Sequence, residues 1–218
     1  MVISPRQHEP QKRPETQALA ISAQLRHRQA MALTVAFVMD PIENVRFQID
    51  SSLAFMLAAA ARGHRVIHVH PKDVALRGRD VWLTGRHLEV FDREGAYFRV
   101  VQELALEAKD CAAIFIRTDP PFDEAYLTVT WLLSFAEEQG VRVINSPRGL
   151  RTANEHIYGL NFPAVCPESI VTSRIEEVTR FVDSVGGVAI AKPIDGHAGF
   201  GVLRLNTDDS NFGGLIEL

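Results

Sequence analysis

The sequence predicts an α/β protein in which an open, mostly parallel sheet is followed by the first part of a smaller α+β unit. Apolar, β-branched runs such as LTVAFVM at 33–39 are typical of strands that are buried on both faces. Helical segments alternate with these runs as far as residue 145, which is the pattern of βαβ units. A glycine-rich loop between two short strands near the end of the chain then indicates the second unit.

The first half of the open sheet is predicted from capping residues and periodicity. After the first strand, Asp50 or Ser51 can cap a helix, and Gly63 suits the end of that helix. The run RVIHVH at 65–70 then returns as a strand. Residues 73–106 alternate in polarity and are rich in turns, so we expect an antiparallel excursion there.

The second half of the sheet begins with the strand AAIFIR at 112–117, which two prolines prevent from continuing. Asp123 can cap a helix that ends near Glu138, and the strand VRVIN at 141–145 follows. The apolar residues of this helix are expected to face the core: Leu127, Trp131, Leu132 and Phe135.

The second unit is predicted to begin with short helices over 148–160 and a strand over 168–173. Ser173 and Glu176 have the spacing of a capping box, which would open a helix that runs to Val185. The runs VAIAK and GVLRL are expected to pair as antiparallel strands on either side of the glycine-rich loop.

Composition and charge exclude several classes of protein. The chain has 218 residues, is 46% hydrophobic and 23% charged, and carries a formal net charge of -4, which argues against a general nucleic-acid-binding surface. It contains no apolar run long enough to span a membrane and no secretory signal pattern, so we expect a cytoplasmic protein. The basic, proline-containing segment at 1–32 is predicted to be a disordered extension, with an arm for an anionic partner as the less favoured interpretation.

Neither the cysteines nor the strand histidines indicate a metal site. Cys111 and Cys166 lie far apart without a C-x-x-C spacing, which favours buried thiols over a disulfide or zinc site. His68 and His70 would face the same side of a strand, but without a third ligand they are better interpreted as polar strand-edge residues than as a metal pair.

The glycine-rich loop is the sharpest local feature. Lys192 ends an apolar strand, and Gly196, Gly199 and Gly201 follow it closely. Glycines let main-chain N–H groups approach phosphate oxygens, and an ammonium can neutralise part of their charge. The lysine precedes the glycines, so this is not a Walker A loop, and from the loop alone a phosphate site and an ordinary glycine hairpin are equally good interpretations.

Five runs of the sequence are considered together: VAFVMDPI at 35–42, IRTDPPFD at 116–123, VINSPRGLRTANE at 143–155, PESIVTS at 167–173 and AKPIDGHAGFGVLRL at 191–205. In their order and spacing these runs resemble the bacterial glutathione synthetases of the ATP-grasp ligase superfamily. The resemblance implies a Rossmann-like pre-ATP-grasp substrate domain at 33–148 and an incomplete ATP-grasp domain at 149–218.

The resemblance also implies a reaction, in which ATP phosphorylates γ-glutamylcysteine and glycine then displaces the phosphate, with Mg²⁺ or Mn²⁺ as the metal. It assigns the catalytic roles to Lys192 and Arg117 and suggests self-association. It assigns nucleotide binding to six residues: Lys192, Asp195, Gly196, Gly199, Gly201 and His156. It assigns substrate binding to Arg117, Asp119 and Asp123, although an ion pair of Arg117 with either aspartate is an equally good interpretation.

Two departures from the family pattern bear on activity. His156 stands where the family has a phosphate-contacting lysine, which predicts weaker ATP binding. The chain stops at Leu218, before the expected metal ligands, and Asp208 and Asp209 are better interpreted as a solvated turn. We therefore expect a fragment, a truncated reading frame or half of a split protein. The alternatives to the synthetase are a non-catalytic binding relative and an ATP-grasp ligase that acts on another substrate.

Overall fold

The computed structural model describes residues 32–216, so the predicted extension at 1–32 lies outside the described residues except for Ala32. The strands are β1 Thr34–Val38, β2 Arg65–Val69, β3 Val74–Arg77, β4 Asp80–Val90, β5 Phe98–Glu107, β6 Ala113–Ile116, β7 Val143–Ile144, β8 Val188–Ala191 and β9 Leu203–Asn206. The α-helices are α1 Ser51–Ala60, α2 Glu124–Glu138, α3 Pro147–Thr152, α4 Ile175–Ser184 and α5 Phe212–Ile216. Short 3-10 helices cover Ile42–Asn44, Pro71–Asp73, Ala108–Asp110 and Tyr158–Asn161.

The seven strands β1 to β7 form one sheet, which confirms the predicted α/β class. Its parallel part has the order β2-β1-β6-β7. The predicted antiparallel excursion is also confirmed, because β4 pairs antiparallel with β2, β3 and β5. The carboxyl ends of the parallel strands meet at one edge, which is where open α/β sheets bind ligands.

The central strand β1 is buried on both faces, as its apolar sequence predicts. Ala36 and Val38 belong to one core cluster, and Val35 and Phe37 belong to the other. This alternation follows from the two-residue period of a strand. The sheet is therefore a middle layer, and the helices that cover its two faces complete the fold.

Capping residues fix where the two long helices begin. The Asp50 carboxylate accepts hydrogen bonds from the main-chain N–H groups of Ser52 and Leu53, at 2.7 and 3.0 Å. The Asp123 carboxylate accepts one from the N–H of Tyr126 at 2.9 Å. Both predicted caps are confirmed, so α1 and α2 begin directly after the loops that follow β1 and β6.

The buried face of α2 differs from the predicted one. Trp131 is 53% exposed, and Leu127, Leu132 and Phe135 are only partly buried. The residues that α2 buries are Val129, Thr130, Leu133 and Ala136. The helix therefore buries a stripe that lies beside the predicted one, while the predicted Leu132 and Phe135 are partly buried and pack against the first core cluster.

Two predictions for the second unit are wrong. Residues 168–173 form no strand, because no described strand lies beside them to accept their hydrogen bonds. Helix α4 begins at Ile175 after Arg174 and has no side-chain cap, so the proposed capping box does not form. The predicted pairing of β8 with β9 is confirmed, with Ile190 opposite Arg204.

The predicted boundary at 148/149 stays a prediction, although Leu150 of α3 packs against the first core cluster.

Cys111 and Cys166 are both free, and burial raises the pKa of the Cys111 thiol to about 12. Within residues 32–216, no helix has the length and apolar character needed to cross a membrane.

Candidate functional site

The glycine-rich loop joins β8 to β9 through a series of tight turns. The N–H of Gly196 donates to the carbonyl of Pro193 at 3.2 Å, and the N–H of Phe200 donates to the carbonyl of His197 at 2.9 Å. Phe200 is 81% exposed, so this apolar side chain does not anchor the loop. The loop is instead shaped by its own main-chain hydrogen bonds.

Glycine is required at two positions of this loop. Gly199 and Gly201 have φ values of 80° and 70°, which side chains other than glycine rarely adopt. At Gly201 a Cβ atom would also lie 2.6 Å from the Cγ of Pro193, whereas at Gly199 it would meet nothing within 4 Å. The main chain of Gly201 thus approaches the proline ring more closely than any side chain would allow.

Lys192 stands at the carboxyl end of β8 and is exposed. Among the described residues, no carboxylate lies within ion-pair distance of its ammonium group. Together with His156, Gly196 and Gly199 it lines a cavity of about 140 Å³. The cavity therefore contains a positive charge that remains available for an anion.

Residues 154–156 brace the glycine-rich loop from a distant part of the chain. The Nε2 atom of His156 lies 2.9 Å from the main-chain oxygen of Gly196, and the Nδ2 of Asn154 donates to the carbonyl of Ile194 at 3.1 Å. The Oδ1 of Asn154 accepts the N–H of His156 at 2.9 Å and so holds this segment in place. The imidazole is thus engaged with the loop main chain, while the ring still borders the cavity.

The predicted nucleotide residues therefore lie in one region. His156, Lys192, Gly196 and Gly199 share the cavity wall. Asp195 is exposed in the same loop, and its carboxylate accepts no hydrogen bond from residues 32–216. No hydrogen bond or ion pair within the described range joins this group to Arg117.

Arg117 makes neither of the two ion pairs that the sequence left open. Its Nε donates to the Oγ of Ser52 at 3.0 Å, and its Nη2 donates to the Oγ of Ser51 at 2.7 Å. In the part of the chain that the structure describes, neither Asp119 nor Asp123 lies within ion-pair distance of it. The guanidinium therefore ties the end of β6 to the start of α1.

Two aspartates near Arg117 have different surroundings. Asp123 is the cap of α2, so its carboxylate already has a structural role. Asp119 is exposed, and its main-chain N–H donates to the Oδ2 of Asp40 at 2.8 Å. Burial raises the pKa of the Tyr126 phenol, and the Arg117 guanidinium partly offsets this increase.

Several residues at the strand ends were not anticipated as site residues. Asp40 follows β1 directly and joins the loop after β6, while Ser51 and Ser52 hold Arg117. Buried His68 adds a hydrogen bond between its Nε2 and the main-chain oxygen of Asp40 at 2.9 Å. The sequence Met-Asp-Pro around Asp40 was the available signal for that residue. The two serines are separated from Arg117 by 65 and 66 positions in the sequence, so their contacts leave no local pattern.

A larger cavity of about 500 Å³ lies beside the loop between β1 and α1. It is lined by residues of that loop and of the turn between β4 and β5, among them Arg46, Phe47 and Tyr97. On the strand β2 side, the Nδ1 of His70 accepts the main-chain N–H of Lys72 at 3.2 Å. No group of three or more His, Cys, Asp or Glu side chains within 32–216 could hold a metal ion.

Two family models together match most of the chain. Residues 33–151 match the family model of the prokaryotic glutathione synthetase N-terminal domain, and residues 155–218 match that of the prokaryotic glutathione synthetase ATP-grasp domain. The chain is 35% identical over 188 residues to a glutathione synthetase of Rhodopseudomonas palustris, covering 86% of this chain and 59% of that protein. It is 36% identical over 188 residues to one of Nitrosomonas europaea, covering 85% of this chain and 58% of that protein.

Among solved structures, D-alanyl-alanine synthetase A of Vibrio cholerae matches with a TM-score of 0.49 and 12% identity, covering 86% of this chain and 56% of that one. The chain thus spans about three fifths of the length of the curated relatives that it matches. Since the N-terminal family model alone covers more than half of the 218 residues, the resemblance drawn from the motifs is confirmed. The chain belongs to the prokaryotic glutathione synthetase family.

Proposed function

We infer that this chain supplies the substrate domain and the start of the nucleotide-binding domain of an ATP-dependent ligase that joins γ-glutamylcysteine to glycine. One observation carries the nucleotide part of the proposal. The Lys192 ammonium has no carboxylate partner among the described residues, and it lines a cavity that the glycine-rich loop closes. An unpaired cation beside glycine main chain is the chemistry that binds phosphate.

The reaction begins from a poor electrophile, because the carboxylate of the peptide resists attack by an amine. Transfer of the γ-phosphoryl group from ATP to this carboxylate gives an acyl phosphate and ADP. The glycine amine then attacks the acyl carbon, the C–O bond to phosphate breaks, and the amine loses a proton as the amide forms. Lys192 would stabilise the negative charge on the transferring phosphoryl group, and the N–H groups of the loop would orient its oxygens.

The described residues fit part of a nucleotide. A cavity of about 140 Å³ is smaller than the roughly 300–1,000 Å³ of typical small-molecule sites, so it has room for phosphate groups but not for a whole nucleotide. We therefore assign Lys192, Asp195, His156 and the glycines of the loop to the phosphate end of ATP. His156 would act on the loop, since its Nε2 is already engaged with Gly196.

Mg²⁺ or Mn²⁺ does not fit the described residues. Such ions take oxygen ligands, mainly from carboxylates, and no suitable group of three exists within 32–216. The second candidate function, which the sequence left open, is a relative that binds nucleotide or peptide without turnover.

Arg117 remains the best candidate for the peptide carboxylate. Nε and one N–H of Nη2 donate to serines, so three N–H groups remain on Nη1 and Nη2, and a carboxylate could still be bound by both of these nitrogens. Asp119 is exposed and could accept a hydrogen bond from a substrate ammonium. Asp123 would contribute mainly by fixing α2, because it caps that helix.

The test is release of ADP and phosphate by the purified chain, measured with both γ-glutamylcysteine and glycine and with each omitted. Release that depends on both substrates supports the ligase. Binding of ATP and γ-glutamylcysteine without release favours the binding relative for this chain without contradicting its family, and absence of both bindings overturns the proposal. A cytoplasmic location and self-association stay proposals, and size measurement in solution tests the latter.

A further inference from the structure

The buried His68 connects two parts of the sheet edge where the peptide site is proposed. Its side chain is nearly inaccessible, with the residue 3% exposed. The Nε2 atom lies 2.9 Å from the main-chain oxygen of Asp40, and the Nδ1 atom lies 3.4 Å from Nη2 of Arg86. Both ring nitrogens are therefore engaged inside the protein.

The two partners fix the position of the proton on the ring. A guanidinium can only donate, so Nδ1 must accept from Arg86, and a carbonyl can only accept, so Nε2 must carry the hydrogen. Arg86 is held in turn by Glu43, whose carboxylate oxygens lie 2.6 and 3.3 Å from its nitrogens. The pairing of β2 with β4 sets His68 directly opposite Arg86 and so brings the two side chains together.

Asp40 connects His68 to the loop after β6 by two hydrogen bonds. Its main-chain oxygen receives the His68 hydrogen bond, and its Oδ2 accepts the main-chain N–H of Asp119 at 2.8 Å. Contacts thus run from Glu43 through Arg86, His68 and Asp40 to Asp119. Since Asp119 follows Arg117 by two residues, this series of contacts reaches the proposed peptide site.

We propose that His68 is a positioning residue which, as the neutral Nε2–H tautomer, holds the Asp40 main chain and thereby fixes the loop that carries Asp119. The functional meaning rests on the proposed function, because the loop matters only where it binds the peptide. The contacts themselves do not depend on it. A protonated His68 would turn an Nδ1–H toward the Arg86 donors, so acid would break the contact between His68 and Arg86 and leave the ring held only by its Nε2–H bond to Asp40.

The direction of the pH dependence follows from the surroundings of the ring. Burial lowers the pKa of His68, the hydrogen bond to Asp40 raises it, Arg86 and His70 lower it, and Glu43 raises it, with a net decrease below 6.5. The stabilisation is therefore fully present above pH 6.5 and is lost as the pH falls through the lowered folded-state pKa.

The first test determines the tautomer of His68 directly. Long-range ¹H–¹⁵N spectra of the ¹⁵N-histidine-labelled full chain report which ring nitrogen carries the proton at neutral pH. A protonated Nε2 supports the proposal, and a protonated Nδ1 overturns it. Replacement of His68 identifies its signals, and the His87→Gln variant identifies those of the neighbouring histidine on β4.

The second test follows exchange of the Asp119 main-chain N–H with solvent. In His68→Leu it should be about fivefold faster, which corresponds to the loss of about 1 kcal/mol. In His68→Gln, whose amide both donates and accepts, the protection factor of this N–H should stay near the wild-type value and should lack the acid-dependent decrease that is expected for the wild type. His87→Gln is the matched control and should behave as the wild type does. Exchange in His68→Leu equal to the wild-type value overturns the proposal.

The role of His68 can still be tested if one variant does not fold or if the chain binds no peptide. If His68→Leu does not fold, the protection of the Asp119 N–H is compared between the wild type and His68→Gln as the pH is lowered. An equal decrease in the two proteins overturns the proposal. Asp119 exchange is measured without peptide, whereas γ-glutamylcysteine binding is measured separately by calorimetry. A chain that binds no peptide overturns the proposed function, while the exchange result still decides the role of His68.

Discussion

The imidazole Nε2 of His156 lies 2.9 Å from the main-chain oxygen of Gly196 and so connects the start of the second unit to its glycine-rich loop. The two residues are 40 positions apart. From the sequence, His156 was a weak substitute for a phosphate-contacting lysine. The structure adds a second role, in which the side chain braces the loop.

The two roles of His156 predict opposite effects of two substitutions. His156→Ala removes the brace and should weaken ATP binding about fivefold, because a net hydrogen bond is worth about 1 kcal/mol. His156→Lys adds a fixed positive charge, whose Nζ can also donate to Gly196, and should strengthen binding. Nucleotide titration calorimetry measures both. Unchanged or weaker affinity in His156→Lys would show that charge at this position does not limit binding.

Lys192 should contribute the largest single part of phosphate affinity. Lys192→Met keeps the length of the side chain but removes an ammonium that no described carboxylate neutralises, so ATP affinity should fall roughly tenfold or more. Lys72→Met, in the exposed helix after β2, is the matched control and should leave the affinity unchanged. Equal affinities of the Lys192 variant and the wild type would remove the observation on which the nucleotide assignment depends.

Asp123 offers a prediction about stability. Its carboxylate caps α2 with a hydrogen bond of 2.9 Å to Tyr126, so Asp123→Ala should lower the free energy of unfolding by about 0.5–2 kcal/mol. Asp119→Ala removes an exposed carboxylate that receives no hydrogen bond from residues 32–216, and it should change stability by less than about 0.5 kcal/mol. Urea unfolding compares the two variants. A larger loss in Asp119→Ala would reverse the assignment of their roles.

Local chemistry explains which parts of the fold could be predicted from the sequence. Asp50 and Asp123 cap helices through residues two or three positions away, and the run around Phe37 carries its own strand signal, so these elements were predicted correctly. Residues 168–173 have the composition of a strand, but a strand also needs a neighbour, and none of the described strands pairs with them. Trp131 looked like a core residue because periodicity does not distinguish two adjacent stripes of one helix.

The same reasoning applies to the site. The glycines near Lys192 are close together in the sequence and predict a loop by themselves, so that region could be located from a short stretch of sequence. The partners of Arg117 could not, because Ser51 and Ser52 reach it only after β6 and α1 have come together in the sheet. An arginine close in sequence to two aspartates predicts an ion pair. In the structure, Arg117 instead donates hydrogen bonds to the hydroxyl groups of Ser51 and Ser52 at the start of α1.

Two glycines of the loop allow backbone strain to be separated from close packing. Gly199→Ala and Gly201→Ala both place a side chain at positive φ, 80° and 70°, which costs roughly 1–2 kcal/mol. Only at Gly201 would the new Cβ also meet Pro193, at 2.6 Å, which should add about 1–3 kcal/mol of overpacking. We therefore expect hydrogen exchange across 193–202 to accelerate more in Gly201→Ala than in Gly199→Ala, and ATP affinity to fall in the same order. Equal effects of the two substitutions would mean that the loop can move away from Pro193 without a loss of stability or ATP affinity. The shape of the loop would then be determined by backbone conformation alone.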